Sequence, residues 1–216
     1  MSYLGYIRAN PKKQIKESIM KSLLYAVLSL LVLSQTVMAD DISSAEKVLK
    51  SKLDAVFVVL QKNDLEQEAK NNEIIEIVTP LFDFSLMARL SLGKKYWSGL
   101  TKEYKKRFTD LFVKRLKESY LEKLNLYTNE FIVYRAPVQV KKKIHIPTEL
   151  IAKDNKIDML YKLYKSKSGW KIYDIEIQGV SIISTYRSQF AEVMSTGTID
   201  DLLLKLEKQE KETTAS

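Results

Sequence analysis

The chain of 216 residues contains no cysteine. That absence rules out a disulfide framework, a metal site built on thiolates, and a lipid anchor joined through a cysteine at an export cleavage site. Histidine is nearly absent too, with His145 its single copy. A metal centre made of imidazoles therefore lacks its second ligand, and a serine triad would have to use that one ring. The closest approach to a nucleophile elbow, Gly179-Val180-Ser181, lacks the second glycine of that turn. Glycine and proline are scarce, at 6 and 4 copies. No Pro/Gly/Ser-rich linker and no internal repeat divides the chain, so a single domain is expected. Long apolar runs are missing as well: Leu23 to Leu33, broken by Ser29, is well short of the ~20 residues that cross a bilayer.

That run follows Met20-Lys21 and precedes Ser34-Gln35-Thr36 and Val37-Met38-Ala39, the pattern of a leader cleaved after Ala39. Residues 1–39 are thus expected to be a signal peptide with an upstream extension, and the true start is Met1 or Met20. Their removal takes away Arg8, Lys12, Lys13, Lys16, Lys21 and Glu17, which lowers the formal charge from +8 to +4 over 177 residues. The remainder suits mild attraction to anionic lipid surfaces better than a nucleic-acid footprint. The basic runs Lys105 to Arg107 and Lys141 to Lys143 lack the glycine and aromatic pattern of an RNA-binding sheet. They read as solvated faces, or as docking points for an acidic partner or anionic head groups.

Periodicity divides the mature chain into helices, then strands, then helices. A first helix over residues 43–63 aligns Val48, Leu49, Val56, Phe57 and Leu60, and residues 64–72 read as loop or polar helix. Pro80 should start a turn or helix, Leu81 to Leu90 should be helical, and Gly93 should end it. Thr101 caps a long helix to Tyr127 with Phe108, Leu111, Phe112, Leu116, Tyr120, Leu124 and Tyr127 on one stripe. Strands are expected at residues 131–135, 138–146, 149–153, 156–164 and 170–177, with turns at Pro147, Asp154-Asn155 and Ser168-Gly169. From Lys171 to Ile177 the side chains alternate, which puts Tyr173, Ile175 and Ile177 on one face. Gly179 then marks the junction with a helix from Ser181 to Met194, followed by a Gly197 stop, a Thr198 cap and a last helix from Ile199 to about Lys208. The tail after Glu210 reads as loose. The expected fold is α+β: a curved antiparallel sheet of four to five strands with helices on one face. A helix returning over such a sheet leaves either a core or an apolar pocket between them.

Phe82-Asp83-Phe84, Leu92-Gly93 with Trp97, Gly169-Trp170, Gly179-Val180-Ser181 and Tyr186-Arg187-Ser188-Gln189-Phe190, in this order, resemble the MlaC, or toluene-tolerance, family of periplasmic phospholipid-binding proteins. The similarity covers roughly Leu81 to Leu206. It implies a nuclear-transport-factor-like domain over residues 40–210 with an apolar cavity, acting as a monomeric periplasmic shuttle without catalysis or cofactor. It further implies exchange of phospholipid between an outer-membrane lipoprotein complex and an inner-membrane ABC transporter with its membrane-anchored substrate-binding subunit. That traffic maintains outer-membrane lipid asymmetry. Lys105-Lys106-Arg107 and the Lys141 to Lys143 cluster depart from the family pattern.

A diacyl lipid has about 30 chain methylenes, whose exposure to water would cost roughly 25 kcal/mol at ~0.8 kcal/mol each. A carrier must therefore offer an aliphatic and aromatic lining on the order of 1,000 Å³. The candidate lining is Phe112, Leu116 and Tyr120 on the long helix, Met159, Tyr161, Tyr173 and Ile175 on strands, and Val180, Ile183, Tyr186 and Phe190 around the returning helix. The same residues would also fill an ordinary core. Arg187 is the candidate for the lipid phosphate, with a salt bridge to Asp83 or Asp174 as the alternative. Asp174 and Glu176 share a strand face. A rival reading is a periplasmic enzyme with a cone-shaped pocket for a small apolar substrate, using Asp83 or Asp174 as general base.

Overall fold

Local chemistry accounts for most helix ends in the computed structural model, which describes residues 40–62, 64–124, 131–152 and 155–214. Contacts divide the chain into Met1–Ser44 and Ala45–Ser216, and the packing below belongs to the second unit. Helix α1 spans residues 40–60. Helix α2, Gln67–Val78, begins inside the stretch expected as loop or polar helix, and Pro80 sits in a 3₁₀ turn, Thr79–Leu81. Helix α3, Phe84–Leu92, starts later than expected because Asp83 caps it, accepting from the Leu86 N–H at 2.9 Å. It stops at Gly93, whose φ of 80° suits a residue without Cβ.

After the short α4, Lys94–Trp97, the hydroxyl of Thr101 caps α5, Lys102–Leu124, by accepting from the Tyr104 N–H at 3.2 Å. Tyr127, at the far end of the expected stripe, lies outside the described residues, as does the expected signal peptide. Ser181 caps α6, Ile182–Thr196. Thr198 and Asp201 cap α7, Ile199–Thr214, reciprocally, and the hydrogen bonds from Thr198 hold the Asp201 carboxyl below its ordinary pKa. Helix α7 outruns the expected end near Lys208 because the stretch beyond is rich in Glu, Lys and Gln, which favour helix even without an apolar stripe.

The sheet has six strands: β1 Phe131–Tyr134, β2 Val138–Val140, β3 Lys143–Ala152, β4 Asn155–Ser166, β5 Gly169–Ile177 and β6 Val180–Ser181. All strand pairs are antiparallel, in the order β1-β3-β4-β5-β6 with β2 also on β3. The turn expected at Pro147 is instead at Lys141-Lys142, where Lys141 takes a φ of 58°. Pro147 stays inside β3 because its carbonyl and missing N–H both point into the gap between β1 and β2. There the carbonyl accepts from the Arg135 N–H at 2.9 Å, and no ladder bond is lost.

Gly179 is also not a direct strand-to-helix junction. Gln178 and Gly179, at φ 51° and 78°, form a two-residue hairpin that pairs Ile177 with Val180 before α6 begins.

A bulge in β5 sets the faces of the sheet. Lys162 pairs with Asp174 but Leu163 pairs with Ile172, so Tyr173 is the extra residue. One face then carries Ile144, Ile146, Thr148, Leu150, Tyr161, Leu163, Ile172 and Ile175, all buried. The other carries His145, Lys162, Tyr173, Asp174 and Glu176. Helix α1 reaches the apolar face at β1, where the Tyr134 hydroxyl meets Asp54 at 3.4 Å and Lys50 stands 5.4 Å from the ring centre. Helices α3, α5, α6 and α7 pack on one another and meet the sheet mainly at β5 through α3 and α6.

Candidate functional site

The i, i+4 spacing of Phe108 and Phe112 on α5, and of Tyr186 and Phe190 on α6, turns four rings toward one another. Phe112 lies 5.3 Å from Tyr186 and 6.1 Å from Phe190, while Phe190 lies 5.4 Å from Phe108 and 5.5 Å from Tyr186. Trp97 closes one end, edge-on to Phe108 at 6.3 Å. Edge-to-face and offset geometries of this kind add attraction beyond the area buried. Phe108 and Phe112 are completely buried.

Beside this cluster a cleft of about 390 Å³ opens between α5, α6 and α7, with Tyr120, Tyr186, Phe190, Val193, Leu202 and Leu206 among its lining. Burial, followed by the proximity of Tyr186 and Asp174, raises the pKa of the Tyr120 phenol. Its rim is polar, with Arg115, Ser119, Gln189, Glu192 and Lys205. Two exposed contacts tie α5 to α7: Arg107 to Glu207 at 2.8 Å and Tyr104 to Asp200 at 3.1 Å.

The candidate lining residues fall into three groups. Phe112, Leu116, Tyr120, Ile183, Tyr186 and Phe190 belong to the helical layer, with Phe112, Leu116, Ile183 and Phe190 buried. Met159, Tyr161 and Ile175 share the apolar face of the sheet. There the Tyr161 hydroxyl donates to the Met159 sulfur, at 3.7 Å, and burial drives its phenol pKa upward. Tyr173 and Val180 belong to neither group. The bulge turns Tyr173 to the opposite face, where its hydroxyl is 3.1 Å from His145 Nε2 and Lys143 stands over the ring at 4.1 Å. Val180 is 60% exposed, because the hairpin sets it on an edge strand and not under α6.

Of the two expected roles for Arg187, the salt bridge is not formed. The residue is exposed, and its Nε donates to the Leu90 carbonyl in the last turn of α3 at 2.8 Å instead of pairing with Asp83 or Asp174. Those two aspartates are held by other donors. Asp174, 6% exposed, accepts from Lys162 Nζ at 3.0 Å, Ser181 Oγ at 2.8 Å and the Ile183 N–H at 3.2 Å. It shares Lys162 with Glu176, so the two carboxylates do lie on one face. Asp83 caps α3 and accepts from the Tyr164 hydroxyl, a bond that pushes the phenol up to about 12. His145 is pushed below its ordinary value by burial, then by Lys162 and Lys143. Among the described residues no group of acidic or histidine side chains is arranged to hold a metal.

Phe108, Trp97, Leu202 and Leu206 complete the helical site and were not among the candidates. Their signal was present: Phe108 shares the stripe of Phe112, and Leu202 and Leu206 repeat at helical spacing on the last helix.

The fold and cleft define an α+β protein with an aromatic-lined opening in a helical layer beside a sheet with one apolar face. Within that class, the family model described as MlaC protein matches residues 50–208, and the chain belongs to this family. It is similar to the intermembrane phospholipid transport system binding protein MlaC of Haemophilus influenzae. The two are 23% identical over 197 residues, covering 87% of this chain and 91% of the relative. Its fold is also that of a phospholipid-binding protein from Ralstonia solanacearum, solved in complex with a phospholipid. The TM-score is 0.71 at 23% identity, over 79% of this chain and 99% of that one.

Proposed function

We propose that this chain is a non-enzymatic phospholipid carrier that shuttles lipid between two membranes across the periplasm. The observation that carries the reading is the MlaC family match over residues 50–208. The geometry supports it: acyl chains need apolar surroundings without buried charge, and the ring cluster beside the cleft between α5, α6 and α7 offers such surroundings behind a polar rim. At about 390 Å³ the cleft is smaller than two acyl chains require. Housing two chains there therefore calls for Tyr186 and Phe190 to part from Phe112.

The enzyme alternative loses support from the structure, since Asp83 and Asp174 are each committed to capping and pairing contacts. Export through cleavage after Ala39 would deliver residues 40–216 to the periplasm. Exchange partners would be an outer-membrane lipoprotein complex and an inner-membrane ABC transporter. The test is native mass spectrometry of protein purified from the bacterial periplasm, together with organic extraction. Stoichiometric phospholipid is expected, and protein that emerges bare would overturn the reading.

A further inference from the structure

A second cleft, of about 680 Å³, lies between the α3–α4 corner and α6 and shares Trp97 with the ring cluster. Its lining includes Arg89, Lys94, Lys95 and Arg187 and no carboxylate, over a floor with Tyr96 and Trp97. All four cations are exposed, and none forms an ion pair among the described residues. Elsewhere Lys106, Arg107, Arg135, Lys156 and Lys162 each have a carboxylate partner. Lys105 adds a fifth cation, 5.9 Å from the Trp97 ring, and Lys95 stands 5.0 Å from that of Tyr96. Of the basic run Lys105 to Arg107, then, only Lys105 is turned toward this patch.

Like charges gathered without counter-charge repel one another, and an anionic surface relieves that repulsion. Lysine and arginine around a half-buried Tyr-Trp pair is also the composition that rests at a bilayer interface, cations at the phosphates and rings at head-group depth.

We propose that this corner is a membrane-docking site, which receives the phosphate head groups of an anionic bilayer while the carrier exchanges cargo. The inference rests on the carrier reading. It differs from a cargo site because Arg187 and Ala191 face this cleft, whereas Tyr186, Gln189, Phe190 and Val193 on the same helix face the other.

Flotation with vesicles of phosphatidylcholine, with and without one-third phosphatidylglycerol, tests it. Wild type should bind the anionic vesicles preferentially and release them in high salt. The Arg89→Gln/Lys94→Gln/Lys95→Gln variant should bind them more weakly by about fivefold per cation, roughly a hundredfold in all. Its circular dichroism melt and its co-purified phospholipid should match wild type, since these three side chains make no hydrogen bond or ion pair among the described residues. A control with the same charge change on other surfaces, Lys142→Gln/Lys167→Gln/Lys208→Gln, should keep most of the binding. Equal losses in both variants would reduce the effect to net charge and overturn the site, as would indifference of the wild type to phosphatidylglycerol. Cargo present without vesicle binding would sink only the docking site, whereas wild-type protein without cargo would undo the carrier reading beneath it.

Discussion

If lipid replaces the rings of the helical cluster, the cost of removing one ring must depend on whether lipid is bound. Phe190 is 4% exposed and touches Phe108, Phe112 and Tyr186. In lipid-free protein, Phe190→Ala should cost about 3–5 kcal/mol, from lost transfer free energy, the cavity left behind and three aromatic contacts. In loaded protein the acyl chains occupy part of that space, and the cost should fall to about 1–2 kcal/mol. By linkage, a difference of about 2 kcal/mol makes the folded variant bind lipid roughly thirtyfold more tightly than folded wild type. Urea unfolding of delipidated and reloaded protein reads both costs. With a slope of about 2 kcal/mol/M, the midpoint should drop by roughly 2 M without lipid and by less than 1 M with it. Equal drops in the two forms would show that Phe190 belongs to a permanent core that no cargo replaces, and would refute the reasoning.

Three further outcomes follow from individual contacts. Asp174→Ala should cost about 2 kcal/mol or more in urea unfolding, because it takes one of two carboxylate partners from a mostly buried Lys162 and leaves the buried Ile183 N–H without its acceptor; a loss below 1 kcal/mol would contradict the structural role assigned to it. Thr148→Val should stabilise by about 1 kcal/mol, since the buried Thr148 hydroxyl has no hydrogen-bond partner among the described residues; calorimetry showing a lower Tm would contradict this. Tyr164 carries a phenol raised by Asp83 to about 12, so its contribution is complete below pH 10 and is lost as pH climbs from 10 to 12. Tyr164→Phe should flatten that part of the stability profile and remove one late-titrating phenol at 295 nm; an unchanged profile would exclude the Tyr164–Asp83 bond.

What the chain alone made legible was everything that depends on neighbours a few residues apart. Thr101 and Thr198 cap helices where their hydroxyls reach N–H groups three residues on, and Gly93 ends α3 where a positive φ is required. The apolar stripes of α5 and α6 likewise follow from 3.6-residue periodicity, and the structure sets Phe112, Tyr186 and Phe190 of those stripes against one another. Strand faces are a different matter. A single bulge opposite Lys162-Leu163 reverses Tyr173 relative to Ile175, and nothing in the alternation of Lys171 to Ile177 marks it, because a bulge is a property of the pair of strands. Val180 was lost for a related reason: its strand residue type gives no sign that a two-residue hairpin sets it on an edge. The partners of Asp83, Asp174 and Arg187 lie far off in the chain or on other elements, at Tyr164, Lys162 and Leu90, and only the packed tertiary structure chooses among donors and acceptors that the sequence leaves equally available.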